Sequence, residues 1–546
     1  MKTKTDINDI NDAIIMGINI GVAAGLCMNN NVDNGLKIYE QLMRKFPFTA
    51  NIIDDYANYE KNKVKNLYDK RQWRKALRRY QDLFDSSRMN EDEFIKMISC
   101  LAELRQEDIA IEYLQKYDTL AKDKVRANYV VADLLYFKFH KVEESIKRYE
   151  YYIKHRPNDA LAWNTLGHLN SELYKDKNLD KQLEYFLNAY KINPNSKIFT
   201  KNVAIIYSKL GDFKNAQIFY EHLLKINPSH NDYFDYGCFL IQNGDFKNGY
   251  KYLSHRFQKE DEPALYPPML SEVKQLKTKS QIKDSIILVQ CEQGYGDSIM
   301  YSRFVKQLSR MAKKVLFVVQ NELVDLFKTS DICDEIYPLD VDFSKLEFDY
   351  HVPIMDLPYI LGVTTKTLDY RDKYLTVNEK MITHFKEEYL NKNKKLKVGV
   401  AFEGHRKSED LNRDIPLIEL EKLFNDKKLD VYILQHSDSK KQIEGLPEDS
   451  KYIHVGKDFS DFQSTAAAIE NMDVIITTDN VILNLAGALG KKTFALFNRF
   501  TEYRWFDLNS ANVGWYNTVK PFQNIEMDNW STSVSSMLEE FKIDRR

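Results

Sequence analysis

From about residue 12 to residue 260 the apolar positions recur with helical spacing, and polar positions fill the turns between them. After residue 262 the texture changes. Short apolar runs at Ile286–Val289, Val315–Val319, Glu335–Tyr337 and His351–Pro353 read as strands, with helical stretches such as Val305–Met311 and Leu323–Lys328 between them. A charged helical stretch, 380–395, follows. A second series then starts at Lys397–Phe402 and continues through Val431–Leu434, Tyr452–Val455, Val474–Thr478 and Thr493–Phe497. Helices are expected there at Leu417–Phe424, Thr465–Asn471 and Ile482–Leu489. Alternating strands and helices imply a mostly parallel sheet. Pro263, Pro267 and Pro268 mark a linker between the all-helical and the alternating halves.

The helical half repeats itself. Ala189-Tyr-Lys-Ile-Asn-Pro194 and Leu223-Leu-Lys-Ile-Asn-Pro228 end similar phrases 34 residues apart, with Ala204, Tyr207, Gly211, Ala216 and Tyr220 between them. This order of small, aromatic, turn glycine, small, aromatic and proline resembles the tetratricopeptide repeat. Gly211-Asp-Phe-Lys-Asn-Ala216 is echoed by Gly244-Asp-Phe-Lys-Asn-Gly249. The unit from Trp163-Asn-Thr-Leu-Gly167 to Pro194 carries about three extra residues near Tyr174-Lys-Asp-Lys. Weaker units start at Gly35, Trp73 and Ala110. A helix pair cannot bury its apolar face alone, so such units stack into a superhelix. Most aromatic residues here are therefore expected to pack rather than bind. The concave face of such an array suits a peptide or protein partner.

At 546 residues the chain needs two to four domains, and its 43% apolar content suits globular folding. The 78 basic and 80 acidic residues nearly cancel, to a formal charge of −2, which gives no field for nucleic acid. Five scattered cysteines without a CxxC argue for reduced thiols and a cytoplasmic setting. The apolar run near the N-terminus, Ile14 to Val22, is broken by Asn19 and continues into a helical pattern, so it reads as helix rather than cleaved signal. No run long enough to span a membrane occurs.

Three phrases in the second half carry chemistry. Glu292-Gln-Gly-Tyr-Gly-Asp297 lies where a strand meets a helix, and its glycines allow close backbone approach to a ligand. Ile299 stands where a dinucleotide fingerprint needs its third glycine. Val398-Gly-Val-Ala-Phe-Glu-Gly404 is followed by Asn412-Arg-Asp-Ile-Pro416, and Val474-Ile-Ile-Thr-Thr-Asp479 by Asn484-Leu-Ala-Gly-Ala-Leu-Gly490. Over residues 283–540 these phrases resemble heptosyltransferase-like GT-B glycosyltransferases, in the form fused to tetratricopeptide repeats. The fold expected is an α-solenoid of tetratricopeptide repeats followed by a GT-B fold of two α/β Rossmann-like lobes. The divisions are a repeat array over 1–262, a linker over 263–282, an acceptor-side lobe over 283–379, and a nucleotide-sugar-side lobe with a C-terminal helix over 380–546.

The resemblance implies roles. Asp297 matches the family's base, which takes the acceptor's proton as the anomeric carbon is attacked and supplies about 10²–10⁴ in rate. Capping its own helix is the alternative role. Gly294 and Gly296 would bring backbone to donor or acceptor. Lys407, Asn412 and Arg413 lie after a strand, where cations offset the leaving diphosphate's charge. Thr478, Asp479 and Asn480 end the next phrase at a helix N-terminus, another anion-binding device. Gln435 matches a family glutamine facing base or diphosphate, and Thr465 is a weaker candidate at another helix start. The family has Ser or Thr where Asn480 stands and His where Asn484 stands, and asparagine cannot shuttle a proton near neutral pH. Trp505, Trp515 and Tyr516 suit either a donor pocket or the core.

Asp340-Val-Asp342 spells a metal–diphosphate motif, but it lies far in sequence from the phosphate phrases, and no His/Cys cluster has ligand spacing. The expectation is a metal-independent inverting glycosyltransferase without cofactor, taking a nucleotide-sugar donor and a protein or peptide acceptor recruited by the array. The alternatives are a heptosyltransferase-like enzyme acting on a glycan and a non-enzymatic repeat scaffold.

Overall fold

A computed structural model describes residues 32–45, 50–85, 89–259, 273–404, 412–436 and 440–543, with a few more between 19 and 27. The linker prolines, His405, Arg406 and Lys407 lie outside the described residues. The expected fold class is observed: a helical repeat region followed by two parallel α/β lobes. The chain divides into two compact units, Met1–Leu173 and Tyr174–Arg546.

The first unit consists of antiparallel helices, among them Trp73–Asp85, Glu91–Glu103, Glu107–Leu120, Lys124–Phe139 and Val142–His155. Residues from neighbouring pairs form one apolar cluster, including Ala76, Tyr80, Phe94, Leu114 and Val131. Helix starts are satisfied locally. Asn90 and Glu93 form a reciprocal capping box, and Asp123 accepts from the N–H groups of Val125 and Arg126.

The second unit begins with more repeat helices: Leu179–Ile192, Lys197–Lys209, Phe213–Leu223, His230–Gln242 and Phe246–Leu253. The twice-used Gly-Asp-Phe-Lys-Asn phrase acquires a physical meaning here. Gly211 and Gly244 take φ of +77° and +80°, which glycine adopts without strain. The following Asp212 and Asp245 cap the next helices, each accepting from an asparagine backbone N–H at 3.2 Å and from the same asparagine's side-chain amide. The aromatic positions pack, as in the cluster of Ala204, Ala216, Tyr220, Tyr236 and Phe239.

Four parallel strands form the first sheet: β1 (Ile286–Gln290), β2 (Lys314–Val319), β3 (Glu335–Pro338) and β4 (Tyr350–Pro353), in the order β3-β2-β1-β4. Six form the second: β5 (Leu396–Ala401), β6 (Leu429–Ile433), β7 (Ile453–His454), β8 (Val474–Thr478), β9 (Thr493–Phe497) and β10 (Val519–Gln523), in the order β10-β9-β8-β5-β6-β7. Strand order reverses between β1 and β4 in one sheet and between β5 and β8 in the other. Ligands of such sheets bind outside the carboxyl ends of the strands at these points.

One apolar cluster joins the last repeat helix to both lobes: Phe246 and Tyr250 share it with Val289, Leu434 and Trp515. Buried Arg303 fastens the lobes, donating to the Trp515 carbonyl at 2.8 Å and the Tyr374 hydroxyl at 3.2 Å. Its guanidinium lies over the rings of Tyr374, Trp515 and Tyr516.

Candidate active site

The helix Tyr295–Ser309 starts directly after β1, with Gly294 as its extended N-cap residue. Asp297 sits in its first turn. Gly294 carries no special steric demand, since a Cβ there would be 3.7 Å from the Asp297 carboxylate. Gly296 is different: a Cβ would come within 3.0 Å of the Asn484 amide on the second lobe. The glycine lets two helix starts from opposite lobes meet.

Asp297 caps this helix start, its carboxylate accepting from the Gly294 backbone N–H. It also pairs with Arg504 at 3.0 Å. Arg504 also contacts Glu502 at 3.3 Å, Glu502 binds Arg413 at 2.6 Å, and Arg413 reaches Asp479 at 3.7 Å. Five alternating charges thus run from the end of β1 to the ends of β5, β8 and β9. Burial pushes the Asp297 carboxyl above the ordinary carboxylate range, with Arg504 opposing it. Burial likewise raises the Asp479 carboxyl, against the pull of Arg413.

Local structure explains why these groups converge. A Cβ at Gly404 would lie 3.2 Å from Arg413 Cβ and 3.3 Å from the Asp479 carbonyl, so glycine lets the Arg413 segment cross closely. The Thr478 hydroxyl donates to the Arg413 carbonyl and fixes that segment from below. Asn412 donates to Asp528 at 3.0 Å and its carbonyl accepts from Asn498 at 2.8 Å, pinning the loop to the far edge of the sheet.

The remaining predicted residues have structural bonds. Asn480 caps the helix Val481–Ala488, accepting from Ile482 N–H at 2.9 Å and Leu483 N–H at 3.2 Å. Its amide also donates to the Glu403 carbonyl at 3.1 Å. Two of the N–H groups expected to face a diphosphate are therefore occupied by this side chain. Asn484 accepts from the Tyr516 hydroxyl at 2.9 Å inside the core. Gln435 accepts from the N–H groups of Phe402 and Glu403 at 3.2 and 3.1 Å, tying the ends of β5 and β6 together. Thr465 turns back onto the Asp461 carbonyl. Trp505, Trp515 and Tyr516 are buried core residues. Asp342 caps a short turn and pairs with Lys345 at 3.1 Å. Among the described residues, no group of three His, Cys, Asp or Glu is placed to hold a metal ion.

Sequence reasoning missed Glu502 and Arg504. Both lie on the segment after β9, which carries no glycine signature and is held from the repeats. Arg499 pairs with buried Asp176 at 2.8 Å, and Phe500 packs against the cluster of Leu179, Phe186, Val203 and Ile206. Asp176 belongs to the extra residues that interrupt the repeat spacing, and it also accepts from Met527 N–H. That interruption was the available signal. A second anchor joins the last repeat to the first phrase: Arg256 binds Glu292 at 2.8 Å and Asp356 at 2.7 Å. A concavity of about 970 Å³ lined by Lys394, Lys395, Lys397, Lys427, Lys428 and Lys492 sits at the other, amino end of the second sheet.

Among known families, a tetratricopeptide-repeat model matches residues 202–230. The chain is 21% identical over 506 residues to Protein FlbA of Caulobacter vibrioides (strain ATCC 19089 / CIP 103742 / CB 15), spanning 80% of this chain and 81% of that protein. Among solved structures, a glycosyl transferase family 9 protein from Veillonella parvula DSM 2008 covers 48% of this chain and 90% of its own, at 12% identity and a TM-score of 0.36. MamA from Desulfovibrio magneticus RS-1 covers 31% of this chain and 94% of its own, at 19% identity and a TM-score of 0.26. No helix among the described residues is long and apolar enough to cross a membrane. The chain thus carries a tetratricopeptide repeat, and its repeat helices precede two parallel α/β lobes.

Proposed function

We propose that this protein is a metal-independent, inverting glycosyltransferase that moves a sugar from a nucleotide-sugar donor to a protein acceptor. The observation that carries this reading is the five-membered charge network at the carboxyl ends of β1, β5, β8 and β9, reaching from Asp297 to Asp479. Asp297 takes the proton of the acceptor hydroxyl or amide. The acceptor atom bonds to the anomeric carbon as the bond to the diphosphate breaks, and the electron pair leaves on the diphosphate oxygen. Arg413 and Arg504 are the network's cations and offset that growing charge, each charge-assisted contact contributing about 1.5–3 kcal/mol. A carboxyl raised by burial is a better proton acceptor than an exposed one, provided the pH keeps it ionised.

The protein acceptor is the part of the reading that the repeats support, since stacked helix pairs offer an extended peptide-binding face. The test is a broad panel of nucleotide sugars with a chelator present. Turnover of at least one donor, as hydrolysis or transfer, is expected. A panel giving neither turnover nor thermal stabilisation would leave the scaffold reading standing, in which Asn480 and Asn484 serve only as cap and core contact.

A further inference from the structure

Glu502 is the central member of the charge network and has no part in the proposed sugar transfer. Its two carboxylate oxygens take one arginine each: Oε1 lies 2.6 Å from Arg413 Nη2, and Oε2 lies 3.3 Å from Arg504 Nη2. Two guanidiniums on the two oxygens of one small anion form the arrangement by which arginines hold a phosphate group. The acid lies at the carboxyl end of the strands, with its side chain about one-fifth exposed. Solvent, and hence a ligand, can reach it.

The backbone that carries Glu502 is held independently of this contact. Arg499 is fixed to Asp176, and the Arg504 carbonyl accepts from the Trp515 indole at 2.6 Å. Rotation of the Glu502 side chain alone would therefore open the space between the arginines while leaving Arg504 beside Asp297. The network holds three carboxylates against two guanidiniums, so Glu502 makes the site more negative than its arginines require.

We propose that Glu502 is a built-in competitor that occupies the anion seat between Arg413 and Arg504, and that an incoming diphosphate displaces it. The proposal rests on the transferase reading for the identity of the diphosphate as a donor's, while the seat itself rests on geometry alone. Glu502 then sets donor affinity from below: it keeps the arginines apart from stray anions and yields to a ligand that offers more than one phosphate oxygen.

The probe is inorganic pyrophosphate, titrated calorimetrically into the full chain. Glu502→Gln keeps the shape and removes the charge, and is expected to bind pyrophosphate about tenfold more tightly than the natural protein. Adding Arg413→Met to it should erase the gain, which places the effect in this seat. Glu502→Asp, shorter by one methylene, guards against misfolding of the first variant and should tighten binding by a smaller factor. Unchanged or weaker binding in folded Glu502→Gln, or no pyrophosphate binding in either protein, overturns the proposal. A natural protein that turns over a nucleotide sugar without any gain in the variant keeps the transferase and loses the competitor. A gain in a protein without turnover keeps the seat and removes the transferase reading.

Discussion

The two stretches of repeat helices share one sequence logic but differ in what their apolar faces cover. In the first unit, residues between Val64 and Leu135 bury one another. In the second, Phe246 and Tyr250 are buried against Trp515 and Tyr301, in the cluster that also fills both α/β lobes. Arg256, just past the last repeat helix, is buried between Glu292 and Asp356. Helix pairs built on one sequence logic can thus pack on neighbouring pairs or form a structural wall of an α/β body.

The largest test of this contrast is truncation. Removing residues 1–173 should leave a cooperatively folding body that hydrolyses donor slowly but no longer transfers to protein. Removing 1–260 strips the wall from the shared core and should yield insoluble or molten protein, read by circular dichroism and thermal melting. A well-folded product of the longer deletion would refute the contrast. Protein transfer surviving the shorter one would refute recruitment by the first unit.

Smaller perturbations sharpen the same boundary. Arg256→Met leaves Glu292 and Asp356 buried without their cation and should cost about 3–5 kcal/mol in denaturant unfolding. Phe246→Ala should also cost about 3–5 kcal/mol through the cavity it opens beside Trp515. Asp245→Ala removes one cap and should cost only about 1 kcal/mol. A loss at Arg256 no larger than at Asp245 would mean that the ion triad does not fasten the repeats.

Much of this organisation was legible in the sequence. Buried parallel strands are near-continuous apolar runs, so β1, β2, β8 and β9 stood out. β10 did not, because it is an edge strand carrying Pro521 and Lys520 among its residues. Asp297, Arg413 and Asp479 were found because each sits in a phrase with glycines or a strand end beside it. Glu502 and Arg504 were invisible for a physical reason. Their partners lie far away in the chain, and the segment between them is shaped by tertiary contacts to Asp176 and the repeats rather than by local propensity. Asn480 was legible as an N-cap residue from its place between a strand end and a helix, and its side chain accepts from Ile482 N–H, while the Tyr516 contact of Asn484 is a tertiary one that no local pattern shows.

The pH dependence adds a graded test of the site. Burial holds the Asp297 carboxyl above the ordinary carboxylate range. A base works ionised, so turnover should be full at higher pH and fall as pH drops through that raised value. The fall should begin at a higher pH than an exposed aspartate would give. An acid limb at the ordinary aspartate position would place the titrating group elsewhere.

The central claim, that Asp297 is the base of a sugar transfer, is tested most directly by turnover of a nucleotide-sugar donor in the natural protein and in Asp297→Asn, with chelator present and donor binding followed in parallel. The expected result is a loss of about 10²–10⁴ in turnover with donor still bound. Equal turnover in the two proteins would contradict the account and leave Asp297 as a cap of its own helix and the ionic partner of Arg504.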